Sequence, residues 1–216
     1  MPQPPAAVYF GGTFDPPHLG HLAVIQELRR LTALELLVVP VGVPGHRHPP
    51  EAPAAARLEM VEIAVASLDD PLVSVCRREV EQMGPSFTVD TVEWLRSRRP
   101  GIEVSLALGS DAALGLAAWK DAPQLLRVVR LLLFERPGSR ATAAGVLAQL
   151  ARDRLPLAGA ELVEVVAPAV DASTIRARLA RGEDCAEWLP EGVSRYILEQ
   201  SLYRTQADRD LPRGAG

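Results

Sequence analysis

Two histidines stand three residues apart in the segment GGTFDPPHLGH, residues 11–21, which follows a short apolar run. Residues at positions i and i+3 of a helix share a face, so we expect His18 and His21 side by side on a first helical turn. The free N–H groups and the positive dipole end of a helix N-terminus favour anions. Two imidazoles placed there can hydrogen-bond to a polyphosphate and stabilise the charge that develops when a phosphoryl bond breaks.

The residues before the histidines favour the same interpretation. Gly11 and Gly12 have no Cβ, which permits a tight turn and close approach of phosphate groups. Asp15 is expected to cap the following turn, with Pro16 in the first helical position. For an isolated HxxH, a capped helix with histidines in a polar cleft is the simpler explanation, and a metal site lacks a third ligand. The complete string favours the anion site, because GGTFDP has no obvious role in packing.

A second segment suited to phosphate is VDASTIR, residues 170–176, which opens another predicted helix. Ser173 and Thr174 can offer hydroxyl and backbone N–H groups, and the guanidinium of Arg176 can bind two phosphate oxygens at once. Asp171 would repel a triphosphate unless it caps the helix and points away. Without the first segment, this one would be an ordinary capped surface helix.

Strand and helix patterns alternate along the chain, which predicts an α/β fold. We expect a Rossmann-like, doubly wound, mostly parallel sheet with helices on both faces. Residues 1–204 are expected to form a single domain with a small C-terminal helical part, and residues 205–216 a disordered tail. Loop 11–17 would then lie at the carboxyl ends of the strands, where such folds bind ligands. The expected strands are 6–10, 34–41, 73–80, 103–109, 130–138 and 161–168, and the expected helices are 18–31, 54–68, 88–100, 121–129, 142–154, 172–182 and 190–203.

Composition and charge exclude several classes of protein. The net charge of −4 and the isoelectric point of about 5.6 provide no positive field for nucleic acid. The two cysteines lie far apart, which disfavours a disulfide scaffold or a cysteine zinc site. Neither a signal peptide nor an apolar run of the roughly 18 residues that a membrane span requires is visible. We therefore expect a cytoplasmic protein with no nucleic-acid or membrane partner.

Both phosphate segments resemble motifs of the nucleotidyltransferase superfamily. GGTFDPPHLGH is similar to the pattern GTFDxxHxGH, and VDASTIR is similar to ISSTxIR, with Asp171 as a departure. Members transfer a nucleoside monophosphate to a phosphate-bearing acceptor without a covalent enzyme intermediate, so catalysis is positioning and electrostatic stabilisation. The resemblance implies catalytic roles for His18, His21 and Arg176. It implies nucleotide binding by Gly11, Gly12, Thr13, Phe14, Gly109, Asp111, Ser173 and Thr174.

Further segments resemble the bacterial nicotinate-nucleotide adenylyltransferases within that superfamily, in the same order over nearly the whole chain. The resemblance implies that His46 and Arg47 reach phosphate, and that Thr88 and Trp119 contact a pyridine nucleotide. Trp119 could stack on the pyridine ring, or could be a half-buried packing residue. Pro44-Gly45 replaces the double proline usual before the histidine. The matching segments are VPGHRHPP (43–50), ARLEM (56–60), PSFTVDTVEWLR (85–96), LALGSDAALGLAAWKDAPQLL (106–126), FERPG (134–138) and WLPEGVSRYILEQSLYR (188–204).

The resemblance implies transfer of AMP from ATP to nicotinate mononucleotide, which gives deamido-NAD and pyrophosphate in NAD biosynthesis. Mg²⁺ would accompany ATP and be coordinated mainly by phosphate and water, so no protein metal site is expected. The alternatives are a sister enzyme for nicotinamide mononucleotide or another phosphate acceptor, and a catalytically weakened nucleotide sensor. A pantetheine-phosphate adenylyltransferase is disfavoured, since that group usually has Thr at the position of His18. Assembly as a homo-oligomer is left open.

Overall fold

The structure, a computed structural model, describes residues 5–45 and 49–204. Its strands are β1 (Ala6–Gly12), β2 (Glu35–Pro40), β3 (Val43–Pro44), β4 (Val73–Val75), β5 (Pro85–Ser86), β6 (Glu103–Gly109), β7 (Val129–Phe134) and β8 (Glu161–Val163). Its α-helices are α1 (Leu19–Thr32), α2 (Ala54–Ala66), α3 (Arg78–Glu81), α4 (Thr88–Arg98), α5 (Ser110–Ala113), α6 (Ala122–Val128), α7 (Ala143–Arg152), α8 (Ala172–Ala180) and α9 (Glu191–Glu199), and Leu116–Ala118 forms a 3₁₀ turn.

The main sheet is parallel throughout, which confirms the predicted fold class. Its six strands follow the order β4-β2-β1-β6-β7-β8, and β3 and β5 form a separate parallel pair. The chain builds outward from β1 in one direction and then returns to build outward from β6 in the other. The switch point therefore lies between β1 and β6, which is where ligand crevices form in such sheets.

Helices cover both faces of this sheet. Alternate residues of β1 belong to two separate apolar clusters: Val8 and Phe10 pack in one, and Ala7 and Tyr9 pack in the other. The first cluster includes residues of α1, α2, α8 and α9, and the second includes residues of α4, α6 and α7. A strand that is buried on both sides requires apolar residues at every position, as the sequence of β1 has.

Three predicted strands were too long. The strand expected over 130–138 ends at Phe134, and the other two end early for a shared reason. The strand expected over 73–80 ends at Val75, and α3 follows. Its partner β2 has only two residues beyond this point, and the second, Pro40, has no N–H to donate. The strand expected over 161–168 ends at Val163, which pairs with Phe134, the last residue of β7. In both cases the neighbouring strand, and not the apolar pattern, sets the length.

The C-terminal helices α8 and α9 pack in the first apolar cluster, on one face of the sheet. A Cβ on Gly192 of α9 would lie 2.6 Å from Cγ2 of Ile63 on α2, so these two helices pack closely. The expected disordered tail, residues 205–216, lies outside the described residues. Within residues 5–45 and 49–204, no helix is long and apolar enough to cross a membrane.

Candidate active site

A cavity of about 160 Å³ opens at the carboxyl ends of β1, β2 and β6. Five residues that the sequence analysis assigned to a nucleotide or a pyridine acceptor line it: Gly11, Gly12, Thr13, Thr88 and Trp119. The ring of Trp119 is half-buried and packs against the second apolar cluster, as the packing interpretation expected, and its stacking on a pyridine ring stays a prediction. The cavity therefore joins the glycine turn after β1 to the segments expected to bind the acceptor.

Aromatic rings of the chain itself explain why glycine is required in this turn. A Cβ on Gly11 would lie 2.8 Å from Cε1 of Tyr9, and a Cβ on Gly12 would lie 2.8 Å from Cζ of Phe14. Distances this short are not tolerated by real side chains. The two glycines thus make room for the ring of Tyr9, which lines the cavity, and for the buried ring of Phe14, in addition to giving a ligand access to the backbone.

The predicted cap of the first helix was wrong by three residues, although the helix expected over 18–31 begins only one residue later. Helix α1 begins at Leu19, and His18, not Asp15, occupies the N-cap position. Asp15 is 4% exposed and its carboxylate instead accepts hydrogen bonds from the backbone N–H groups of Glu51 and Ala52, at 2.8 and 3.1 Å, and from the hydroxyl of Tyr203, at 2.7 Å. A buried carboxylate needs several donors, and these partners provide more of them than one helical turn could.

The two histidine rings lie against each other at the start of α1. Their centroids are 3.8 Å apart, with an angle of 32° between the ring planes. His21 Nδ1 accepts a hydrogen bond from the backbone N–H of His18 at 3.2 Å, so the proton of the neutral ring is on Nε2. His18 is 1% exposed, and its buried Nδ1 has no hydrogen-bond partner among the described residues. An unpartnered polar atom in such a position is unusual and marks a functional candidate.

Both histidines are neutral at pH 7 in this arrangement. Burial lowers the pKa of His18 to about 4, helped by the positive charge of Arg136 and opposed by Asp171. Burial also lowers the pKa of His21 well below its ordinary value, helped by His18 and Arg136. A neutral imidazole can still donate one N–H to an anion. A bound anion would also favour protonation of either ring.

These lowered pKa values predict that acid destabilises the protein. An unfolded histidine takes up a proton near pH 6.5, whereas folded His18 stays neutral down to about pH 4, so lower pH favours the unfolded chain over this interval. Each unit of pKa difference corresponds to about 1.4 kcal/mol. Urea unfolding of the wild type and His18→Gln at pH 7.5, 6.0 and 5.0 measures the effect. The variant should lose less free energy of unfolding over this range, and equal losses would contradict the prediction.

Arg136 is a site residue that the sequence analysis did not single out. It begins a turn in which its N–H donates to Ser139 Oγ at 3.1 Å and Gly138 adopts a φ of +81°. Its Nε lies 3.7 Å from the position a Cβ would take on Gly109, at the end of β6. No carboxylate of the described residues lies within ion-pair distance of its guanidinium. The RPG triplet within FERPG was the available signal. Arg136 adds a positive charge beside the two histidines.

The second phosphate segment packs directly beside the first. A Cβ on Gly20 of α1 would lie 2.9 Å from His18 Nδ1 and 3.0 Å from Cγ1 of Val170, so only glycine fits between them. Two segments that are 150 residues apart in the chain therefore meet at the histidine pair.

Asp171 adopts the capping role that its position required. Its carboxylate accepts from the Thr174 N–H at 2.9 Å, from Thr174 Oγ1 at 2.7 Å and from Ser173 Oγ at 2.6 Å. The hydrogen bonds from Ser173 and Thr174 lower the pKa of Asp171 to about 2, so it is ionised. Both hydroxyls proposed as phosphate donors are thus engaged by Asp171 in this structure.

Arg176 connects the second segment to the first. Its Nη1 donates to the backbone oxygen of Asp15 at 2.8 Å, and its Nε pairs with Glu51 Oε1 at 2.6 Å. Its side chain is 23% exposed, and no hydrogen bond within the described part of the chain uses Nη2. The guanidinium is therefore fixed in place and keeps N–H groups available for an anion.

Of the remaining predicted residues, Asp111, Gly109 and Phe14 lie near the ends of β1 and β6. Asp111 lies on the first turn of α5, and its Oδ1 accepts from the backbone N–H of Arg140 at 2.9 Å. Gly109 ends β6, which pairs with β1. Phe14 is buried and meets His21 edge-on, with ring centroids 4.9 Å apart. His46 and Arg47, expected to reach phosphate, lie outside the described residues.

A buried arginine, also missed by the sequence analysis, supports the loops of the site. Arg57 of α2 is 1% exposed. Its guanidinium donates to the carbonyl oxygens of Ala52, Thr13, Val41 and Gly42 at 2.7–3.2 Å. These carbonyls belong to the loops that follow β1 and β2 and to the turn before α2. One side chain therefore fixes three backbone segments relative to each other.

Among the described residues, no group of three or more His, Cys, Asp or Glu side chains is arranged to hold a metal ion. The site is instead built from glycines, neutral imidazoles, guanidinium groups and aromatic rings. These groups can bind and orient a phosphorylated ligand and can stabilise negative charge. They include no nucleophile paired with a base.

Comparisons with known proteins agree with this geometry. The chain matches the cytidylyltransferase-like family over residues 9–182. It is 41% identical over 209 residues to a probable nicotinate-nucleotide adenylyltransferase of Yersinia enterocolitica, covering 90% of this chain and 94% of the relative. It is 36% identical over 208 residues to a relative of the same name from Salmonella arizonae, covering 90% and 97%.

A solved structure shares the fold. The nicotinic acid mononucleotide adenylyltransferase of Plasmodium falciparum, complexed with NaAD, superposes with a TM-score of 0.71 at 17% identity, covering 92% of this chain and 97% of that one. The match over residues 9–182 includes both phosphate segments. The chain therefore belongs to the cytidylyltransferase-like family and, within it, to the nicotinate-nucleotide adenylyltransferases.

Proposed function

We propose that this protein transfers AMP from ATP to nicotinate mononucleotide, releasing pyrophosphate and forming deamido-NAD, as a step of NAD biosynthesis. The observation that carries the proposal is the position of two different subsites at one sheet edge. The histidine pair and its arginines suit a polyphosphate, and the adjoining cavity, with its aromatic rings, suits a pyridine nucleotide. The names of the relatives support the same assignment.

The acceptor subsite is the cavity lined by Phe87, Thr88 and Trp119. Trp119 offers a face on which a pyridine ring can stack. Lys120 is exposed, pairs with Asp90 at 2.8 Å and lies 5.0 Å from the centroid of the Phe87 ring. In this proposal the acceptor's ring lies against these groups and its phosphate points toward the glycine turn.

The phosphate subsite lies on the other side of that turn. A phosphate oxygen of the acceptor attacks the α-phosphorus of ATP, the bond to the bridging oxygen breaks, and pyrophosphate leaves with the electron pair. His18 and His21 donate N–H groups to the phosphate oxygens on which charge accumulates. Arg176 and Arg136 hold the β- and γ-phosphates. The chain thus contributes orientation and electrostatic stabilisation, which the reaction requires most.

Mg²⁺ enters this scheme with ATP. Both oxygens of Asp171 already accept hydrogen bonds from Ser173 and Thr174, so this carboxylate is not available as a ligand in this arrangement. The ion would be held by phosphate oxygens and water, as Mg²⁺ commonly is, and would neutralise charge on the leaving pyrophosphate. A cytoplasmic location stays a prediction, and the assembly state is open.

A nucleotide sensor without activity is the alternative from another class. Asp171 is the feature that favoured it, because an acidic group beside a triphosphate would be repulsive. The carboxylate caps α8 and accepts from two hydroxyls, so its charge is compensated locally. No further observation supports the sensor.

A side-by-side assay tests the proposed function. Pyrophosphate release is measured with ATP and Mg²⁺ plus nicotinate mononucleotide, nicotinamide mononucleotide or 4′-phosphopantetheine. We expect the highest kcat/KM with nicotinate mononucleotide, and deamido-NAD as the product by mass spectrometry. A higher value with either other acceptor would assign the protein to a sister activity, and no release with any of them would favour the sensor.

A further inference from the structure

A carboxylate without an assigned role is buried in the wall of the acceptor cavity. Glu79 lines the cavity and is 4% exposed. Its Oε1 accepts hydrogen bonds from the hydroxyl of Tyr9 at 2.6 Å and from the hydroxyl of Thr91 at 2.9 Å. Burial raises the pKa of Glu79, and the hydrogen bonds from Tyr9 and Thr91 oppose this rise. Through these two hydrogen bonds the carboxylate connects α3 to the middle of β1 and to the first turn of α4.

The backbone of the same residue makes a second set of connections. Its carbonyl oxygen accepts from Ser86 Oγ at 3.1 Å, and Ser86 Oγ in turn accepts from the N–H of Gly42 at 3.3 Å. A Cβ on Gly42 would lie only 1.9 Å from this carbonyl oxygen, so the two backbones are in direct contact. Glu79 is thus connected to the loop after β2 and to the segment before α4.

Each of these segments contributes to the cavity lining. Tyr9 and Ser86 line it directly, Thr88 opens α4 one turn before Thr91, and the loop after β2 contributes Val41. Among the described residues, no hydrogen bond or ion pair joins the histidine pair, Arg136 or Arg176 to Glu79, Tyr9, Ser86 or Thr91. The hydrogen bonds of this network therefore lead to the acceptor cavity, although the ring of Tyr9 also packs beside Gly11 of the glycine turn.

Stability alone does not explain a carboxylate at this position. Burying an ionisable group costs free energy that hydroxyl donors only partly recover, and an apolar side chain of similar volume usually does as well or better. Ionisable groups whose pKa values are shifted by burial in a cleft are concentrated at functional sites.

We propose that Glu79 is a positioning residue for the pyridine-mononucleotide acceptor, which it serves by holding Tyr9 and the start of α4, through its carboxylate, in the geometry that the acceptor contacts. The inference rests on the proposed function, which supplies the identity of the acceptor. A positioning role differs from a general role in stability because it predicts weaker binding of the acceptor with unchanged binding of ATP.

Steady-state kinetics of Glu79→Ala, Glu79→Gln and a matched control, Glu81→Ala, test this inference. Glu81 is exposed on the same short helix. Glu79→Ala should raise the KM for nicotinate mononucleotide about tenfold, since the Tyr9 hydroxyl loses its acceptor and the Thr91 hydroxyl keeps only the Phe87 carbonyl oxygen at 3.4 Å, and should leave the KM for ATP within about twofold. Glu79→Gln keeps an acceptor oxygen and should restore the KM to within about threefold of the wild type. Glu81→Ala should match the wild type.

Two further variants keep the inference testable if Glu79→Ala does not fold. Tyr9→Phe and Thr91→Val each remove one donor, and each should raise the KM for the acceptor more than the KM for ATP. Equal increases for both substrates, or a loss confined to kcat, would overturn the role of Glu79 while leaving the proposed function intact. A wild-type enzyme that releases no pyrophosphate with nicotinate mononucleotide would overturn both.

Discussion

Replacing His18 by alanine is expected to reduce turnover by about a hundredfold or more, which corresponds to a transition-state contact worth about 3 kcal/mol. The ring lies at the N-terminus of α1, beside His21 and the segment that carries Asp171, and its Nδ1 has no partner among the described residues. A donor fixed in this way needs no reorganisation as charge develops on the phosphates. His21→Ala should have a similar effect, because its Nε2–H is available in the neutral ring.

The loss should not arise from unfolding. The N-cap side chain of His18 makes no capping hydrogen bond, so alanine removes little helix stability. Gln26→Ala, at an exposed position of the same helix, is the matched control and should be fully active. The measurement is pyrophosphate release at saturating substrates, with urea unfolding of each variant alongside. A stable His18→Ala enzyme with normal turnover would remove the histidine from the mechanism.

Replacing Arg57 by methionine is expected to lower the free energy of unfolding by about 3 kcal/mol or more. Methionine fills much of the same volume but leaves the carbonyl oxygens of Thr13, Val41, Gly42 and Ala52 without the donors they now have. Each buried carbonyl that loses its partner costs about 1–3 kcal/mol when it cannot reach water. Because the freed loops carry both subsites, activity should fall as well.

Arg195→Met is the control for this variant. Arg195 lies exposed on α9, and its loss should change the free energy of unfolding by less than about 0.5 kcal/mol. Urea unfolding monitored by circular dichroism gives both values. A loss below about 1 kcal/mol for Arg57→Met would show that water or rearranged backbone satisfies the four carbonyls.

The fold follows closely from local sequence patterns. The apolar run of β1 predicts a strand buried on both faces, and its alternate residues do divide between two clusters. The alternation of strand and helix then leaves few topologies, because parallel crossovers have one hand. Strand lengths were less predictable, as 73–80 shows, since they depend on where the partner strand ends.

The site was predictable where a role depends on spacing within one segment. His18 and His21 lie together because they are three residues apart, and Asp171 caps α8 because it directly precedes it. Asp15 was assigned to the wrong partner for the converse reason. Its hydrogen bond to Tyr203 joins residues 188 positions apart in the chain.

The residues that the sequence analysis missed also act on residues that lie far away in the chain. Arg57 binds backbone carbonyls, which leave no mark in the side-chain pattern. The hydroxyl donors to Glu79 lie on β1 and α4. The positive charge of Arg136 helps to lower the pKa values of His18 and His21 at the start of α1. Such residues are recognised only when the fold has brought distant segments together.

The crystal structure of the protein with Mg²⁺ and a non-hydrolysable ATP analogue tests the central claim most directly. We expect imidazole nitrogens of His18 and His21 within hydrogen-bond distance of phosphate oxygens, with the guanidinium of Arg176 on the terminal phosphates. A triphosphate bound elsewhere, with both rings still packed against each other and touching no phosphate oxygen, would contradict the account.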